Sequence, residues 1–183
     1  IFQDPRDISG PAWDGLLAKQ DAPTPFMSHA YLVALHQSGS AIPKTGWKPQ
    51  FVTLWQYDQL VAACALYLKS HSYGEYVFDW AWANAYAEHG LTYYPKALVA
   101  VPFTPVPGSR LLGIDENSRR YLLQTVLNVC KEQGLSSLHL LFTSPQDQVA
   151  CHALGLMQRQ TVQFHWRNSQ FIDFDHFLSS LSQ

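Results

Sequence analysis

Two acids stand four residues apart in the most aromatic part of this sequence. Glu75 and Asp79 share a stretch with Tyr73, Tyr76, Phe78, Trp80 and Trp82. A carboxylate among rings loses water, and desolvation raises its pKa towards the range of a useful general base. On a strand, the two-residue period would put both acids on one face. The plainer role for either acid is a structural hydrogen bond or an ion pair, with Lys69 or Lys96 as partner. His71 precedes them and is the best placed of three strand-borne histidines, the others being His139 and His165. A lone histidine on an apolar strand is more often a satisfied core residue. Lys96 and Arg110 flank a short apolar run and suit an anion such as phosphate or carboxylate. Tyr73 and Trp82 have the rings to stack on a sugar or a peptide stem, although core packing is the commoner fate of such rings. No Cys or Ser has a recognisable base beside it, and no C-x-x-C or H-E-x-x-H spacing suggests a metal.

Composition narrows the classes around these residues. The chain has 183 residues, 47% hydrophobic, 14% aromatic and 14% charged, with net charge −2. Disordered chains are poor in rings and rich in charge, so disorder is excluded. The twelve Lys and Arg are scattered, and no basic stripe of the kind that replaces nucleic-acid counterions is present. No apolar run approaches the roughly 18 residues of a membrane span. The start, Ile1-Phe2-Gln3-Asp4, lacks Met and any leader-like pattern, so a trimmed N-terminus is expected. Cys64, Cys130 and Cys151 read as buried free thiols in a reducing cytoplasm.

The elements that must position the site follow from periodicity and punctuation. Ser9-Gly10-Pro11 opens a helix with Trp13, Leu16 and Leu17 inward, and Ser28 caps a second one ended by Gly39. Residues 40–49 read as loop. Phe51–Tyr57 and Leu60–Leu68 read as strands, the second apolar on both faces and therefore central. Tyr73–Trp80 fits either strand or loop, and Ala81–His89 can be helical. Leu98–Phe103 reads as a strand, followed by an irregular turn at Thr104-Pro105-Val106-Pro107-Gly108, where two prolines remove donors. Asn117–Gln133 is a strong helix with Leu122, Leu123, Val126, Leu127 and Cys130 on its buried stripe. Ser137–Thr143 is a strand, Pro145–Leu154 a helix, and Met157–Trp166 a final strand. Phe174, Phe177, Leu178 and Leu181 then fall at helical spacing, on a face that requires a partner. The expected fold is α/β, a mixed sheet flanked by helices.

The element order resembles the GNAT acyltransferase fold, most closely over residues 98–156, where a helix closes on Ala153-Leu154-Gly155-Leu156. Longer blocks are more specific. They are His71-Ser72-Tyr73-Gly74-Glu75-Tyr76-Val77-Phe78-Asp79-Trp80-Ala81-Trp82, Tyr93-Tyr94-Pro95-Lys96 and Val101-Pro102-Phe103-Thr104-Pro105-Val106-Pro107-Gly108-Ser109-Arg110-Leu111-Leu112, with Ser136-Ser137-Leu138-His139 and Gln163-Phe164-His165-Trp166. Together they resemble the FemAB-like predicted N-acyltransferases, often labelled peptidoglycan-biosynthesis proteins. The resemblance implies a GNAT-like domain over residues 1–170. It also implies a helix from 171–183 that leads to a second, C-terminal half of the same polypeptide.

That resemblance further implies acyl or aminoacyl transfer to an amine, on a small molecule or peptide such as a cell-wall precursor. Glu75, Asp79 and His71 would carry the proton chemistry, and Tyr73, Trp82, Lys96 and Arg110 the substrate contacts. The donor would be acyl-CoA or aminoacyl-tRNA, which makes tRNA a candidate partner. GNAT enzymes hold CoA pyrophosphate on a Gly-rich loop and a helix N-terminus. Here the loop has one glycine and two prolines, and Asp115-Glu116 at the helix start would repel phosphate, offset in part by Arg110, Arg119 and Arg120. The usual CoA mode is therefore not expected. The rival reading is a non-catalytic half that shapes an acceptor site.

Overall fold

The structure is a computed structural model that describes residues 1–77 and 79–181. Phe78 of the aromatic stretch, and Ser182 and Gln183 after the last helix, lie outside the described residues. The chain opens with α1 (Gly10–Leu17), capped by the Ser9 hydroxyl, and α2 (His29–Gln37), capped by Ser28. Two long antiparallel strands follow, β1 (Trp47–Gln56) and β2 (Gln59–Lys69). α3 (Trp80–Glu88) leads into β3 (Lys96–Val99) and the two-residue β4 (Leu112–Gly113). Then come α4 (Glu116–Glu132), β5 (Leu138–Leu140), α5 (Pro145–Ala153) and α6 (Phe174–Ser179).

The sheet is mixed, in the order β1-β2-β3-β5, with β4 paired to the other half of β2. β3 runs antiparallel to β2 and parallel to β5. β2 is central and buried on both faces, as its unbroken apolar run requires. One face carries α1 and α2 on a core of Trp13, Leu16, Trp47, Phe51, Tyr67 and Leu98. The other carries α4 and α5 on Val52, Cys64, Leu66, Val99, Leu122 and Val126. The result is an α/β/α layering around a five-stranded mixed sheet.

Several sequence expectations are corrected. Met157–Trp166 is not a strand: it pairs with no strand among the described residues, and Val162, Phe164 and Trp166 are exposed. Alternation is a necessary sign of a strand, but the backbone still needs a neighbour to hydrogen-bond. Of the two readings left open for Tyr73–Trp80, residues 73–77 take the loop, with Gly74 and Tyr76 in the left-handed region, and Trp80 opens α3. β1 begins at Trp47, inside the segment read as loop, and Leu98–Phe103 narrows to a strand that starts at Lys96 and stops at Val99, after which the chain leaves the ladder. Leu127 is half-buried, and Val129 takes a buried place on the α4 stripe. All three cysteines are buried and free.

Candidate functional site

Trp47, Lys69 and Lys96 are paired across β1, β2 and β3, so their side chains form one row on the α1/α2 face. Both lysines are buried, at 0% and 1% exposure. A buried ammonium is tolerated only with partners, and the loop of residues 70–79 supplies them. Lys96 Nζ donates to Glu75 Oε2 and to Ser72 Oγ, each at 2.8 Å, and also to Asp79 Oδ2. Lys69 Nζ sits 3.5 Å above the Trp47 ring and donates to the Tyr73 carbonyl at 3.2 Å. The loop thus sets two carboxylates on Lys96 and a backbone carbonyl on Lys69.

Its shape depends on one close approach. Gly74 has φ of +80°, and a Cβ there would lie 2.5 Å from the Phe103 ring. Its carbonyl accepts from Phe103 N at 3.1 Å, which clips the loop to the segment after β3. Asp79 stands at the N-cap of α3 yet makes no side-chain cap bond. An aspartate there ordinarily satisfies a free helix N–H; this one turns inward to Lys96 and Tyr93 instead.

A second tier surrounds Asp79. Tyr93 Oη donates to Asp79 Oδ2 at 2.8 Å and lies 3.2 Å from His139 Nε2, which is 2.9 Å from Ser137 Oγ. The Tyr94 hydroxyl bonds Ser72 at 2.8 Å. Each carboxylate keeps one buried oxygen, Glu75 Oε1 and Asp79 Oδ1, that takes no hydrogen bond among the described residues.

Burial is the largest influence on these groups. It pushes the Glu75 carboxyl up, against the opposing pull of Lys96. It pushes Asp79 up as well, but the surrounding donors, Lys96 foremost, overrule it and hold Asp79 below the usual aspartate range. Burial lowers Lys69 to about 8, partly countered by Glu75. His139 falls to about 4 through burial and the nearby Lys96 charge, and so is neutral at pH 7. Two acids sharing one lysine, one pushed up and one held down, are a common arrangement for proton transfer.

Among the residues expected from sequence, Glu75, Asp79 and Lys96 meet in this cluster. His71 lies at its rim, its ring 5.2 Å from that of Tyr73, and burial beside Lys69 lowers its pKa. Tyr73, Tyr76, Trp80 and Trp82, on the acid-bearing loop and the first turn of α3, are largely exposed. Arg110 is not brought to them. Its Nε donates to the Leu141 carbonyl at 3.0 Å and its Nη2 to the Val106 carbonyl, beyond the end of β5. Lys96 opens the parallel neighbour of β5, so the two cations lie at opposite ends of that strand pair. Tyr93 and Ser72 were not singled out from sequence, although both fall inside the blocks that carried the resemblance. The run Tyr93-Tyr94-Pro95-Lys96, placing two phenols beside a strand-opening lysine, was the available signal.

The start of α4 is closed by its own acid: Asp115 Oδ1 accepts from Ser118 N at 2.7 Å, and Glu116 follows in the first turn. Arg119 is buried, held by the Leu111 carbonyl and Gln20. No described helix is long and apolar enough to cross a membrane.

No curated protein and no solved structure matches the chain. A family model, FemAB-like, described as peptidoglycan biosynthesis/recognition, matches residues 4–183. With that match running through the loop, both buried lysines and the second tier of tyrosine and histidine, the chain belongs to the FemAB-like family.

Proposed function

We propose that this chain is a GNAT-like domain of an N-acyltransferase that moves an acyl or aminoacyl group onto the amine of a cell-wall precursor. One observation carries the reading: Glu75 and Asp79 each spend one oxygen on Lys96 and keep the other, buried, without a hydrogen bond, in a segment rich in exposed rings. An amine acceptor arrives as an ammonium ion. It gives one proton to the carboxylate pair, its nitrogen forms a bond to the acyl carbon, and the carrier leaves with the electron pair of the broken bond and takes up the second proton released by the nitrogen. Exposed Tyr73, Trp80 and Trp82 offer faces for a sugar or peptide stem, and π faces also favour a cation. The work belongs to the cytoplasm, where activated precursors and both candidate donors are found.

The Asp115-capped start of α4 disfavours a pyrophosphate there, which supports aminoacyl-tRNA over acyl-CoA as donor. A second half of the same polypeptide would then supply the carrier contacts. The same closed helix start favours one rival, a non-catalytic half that binds the acceptor while other residues do the chemistry. Glu75→Gln and Asp79→Asn in the full protein separate the two. Transfer to a peptidoglycan precursor peptide is followed with acetyl-CoA and with aminoacyl-tRNA as donors. Loss of a general base lowers the rate by about 10²–10⁴-fold; full activity in both variants would sink the catalytic reading and leave the binding one.

A further inference from the structure

We propose that the acid pair is divided, with Glu75 taking the proton and Tyr93, backed by His139, acting as a positioning residue that holds Asp79 as the fixed anion beside it. This rests on reading the pair as the base of the transfer. The division comes from counting donors. Asp79 Oδ2 receives two, Lys96 Nζ and Tyr93 Oη; Glu75 Oε2 receives one, and Oε1 none.

The phenol has a single proton, and its geometry gives that proton to Asp79. Its oxygen is then an acceptor, so the 3.2 Å contact with His139 requires the proton on Nε2. Ser137 Oγ, 2.9 Å from the same nitrogen, becomes a second acceptor for it. The result is a one-way chain, imidazole N–H to phenol O–H to carboxylate. Donors aimed in series at a carboxylate favour its ionised form. Glu75 has no such chain, and its burial opposes ionisation.

The other charged or titratable groups facing the pair do not undo this. Lys96, from β3, contacts both acids and so does not distinguish them. Lys69, from β2, favours ionised Glu75 through space, but burial outweighs it, and its own hydrogen bond goes to a backbone carbonyl. His71 lies on the loop near Lys69, Tyr94 engages Ser72, and Arg159 reaches only His139, as a distant charge. Tyr93→Phe removes the chain while keeping the ring that packs on Tyr86 and Tyr94.

The test is a carboxyl ¹³C NMR titration of the 183-residue chain as wild type, Tyr93→Phe and His139→Gln. In the wild type, Glu75 should titrate above Asp79. Tyr93→Phe should shift the Asp79 midpoint upwards and narrow the interval between the acids, and His139→Gln should do the same to a smaller extent. Wild-type Asp79 titrating above Glu75, or an Asp79 midpoint that neither variant moves, would overturn the assignment. Activity separates this outcome from failure of the broader reading. If Glu75→Gln and Asp79→Asn both remain fully active, the base function falls whatever order the titration gives. If transfer depends on the pair, the acid limb of the pH–rate profile should follow the Glu75 midpoint in wild type; a limb that follows Asp79 would refute the division.

Discussion

Lys96 opens a strand with its ammonium buried, and two carboxylates from a loop about twenty residues earlier neutralise it. Removing one partner of such a set leaves charge without compensation. Lys96→Met should therefore cost about 3–5 kcal/mol near neutral pH, measured by denaturant unfolding. The sign of its pH dependence is fixed. Burial already raises Glu75, and without Lys96 its main opposing partner is gone, so acidification protonates Glu75 first in the folded state and the deficit shrinks. His139 runs the other way in the wild type. Its folded pKa is about 4 against 6.5 unfolded, so the unfolded chain binds the extra proton between these values. Stability present above pH 6.5 is lost as pH falls to 4, by about 2 kcal/mol after allowance for its partial exposure. His139→Gln should flatten that part of the stability–pH curve, as followed by urea midpoints. At this scale the acids and Lys96 were legible, because acids among rings and a lysine opening an apolar run are unusual locally. The contacts of Tyr93 with Asp79 and His139 span 14 and 46 residues, and no local pattern encodes them.

The clearest elements in the sequence were the helices that bring their own start signal. α4 has Asp115 at the N-cap, a reciprocal bond from Ser118 and a continuous buried stripe. Asp115→Ala should cost about 1 kcal/mol, the usual worth of a cap. Leu122→Ala, at a fully buried position in the same core as Val52 and Leu66, should cost about 2–5 kcal/mol. Both are read from thermal or denaturant midpoints. Elements defined by partners were less legible. Val162, Phe164 and Trp166 alternate as a strand should, yet Phe164 is 98% exposed because no neighbouring strand receives it. The loop of residues 70–79 was ambiguous for the opposite reason: its rings suit a strand, and the close contact of Gly74 with Phe103 decides against one.

The layering of the molecule followed from the alternation of strands and helices, whereas the ends at which side chains emerge did not. Arg110 shows this. It flanks the same apolar run as Lys96 in sequence, but it is 1% exposed and bonds two carbonyls at the far end of the parallel pair. Its guanidinium also lies near Asp147, whose carboxylate accepts from the backbone N–H groups of Arg110 and Leu111. Arg110→Leu should therefore weaken folding by several kcal/mol, through stranded carbonyls and an altered charge balance, while leaving the KM for any acceptor unchanged in the folded fraction. The three cysteines have a practical use at this scale. Burial pushes the Cys64 thiol up to about 12 and Cys130 and Cys151 to about 11, so none offers an appreciable thiolate to solvent at neutral pH. Maleimide dyes should consequently ignore the native fold, and one cysteine introduced at Tyr76 would carry a single fluorescent reporter beside the acids without any background label to subtract.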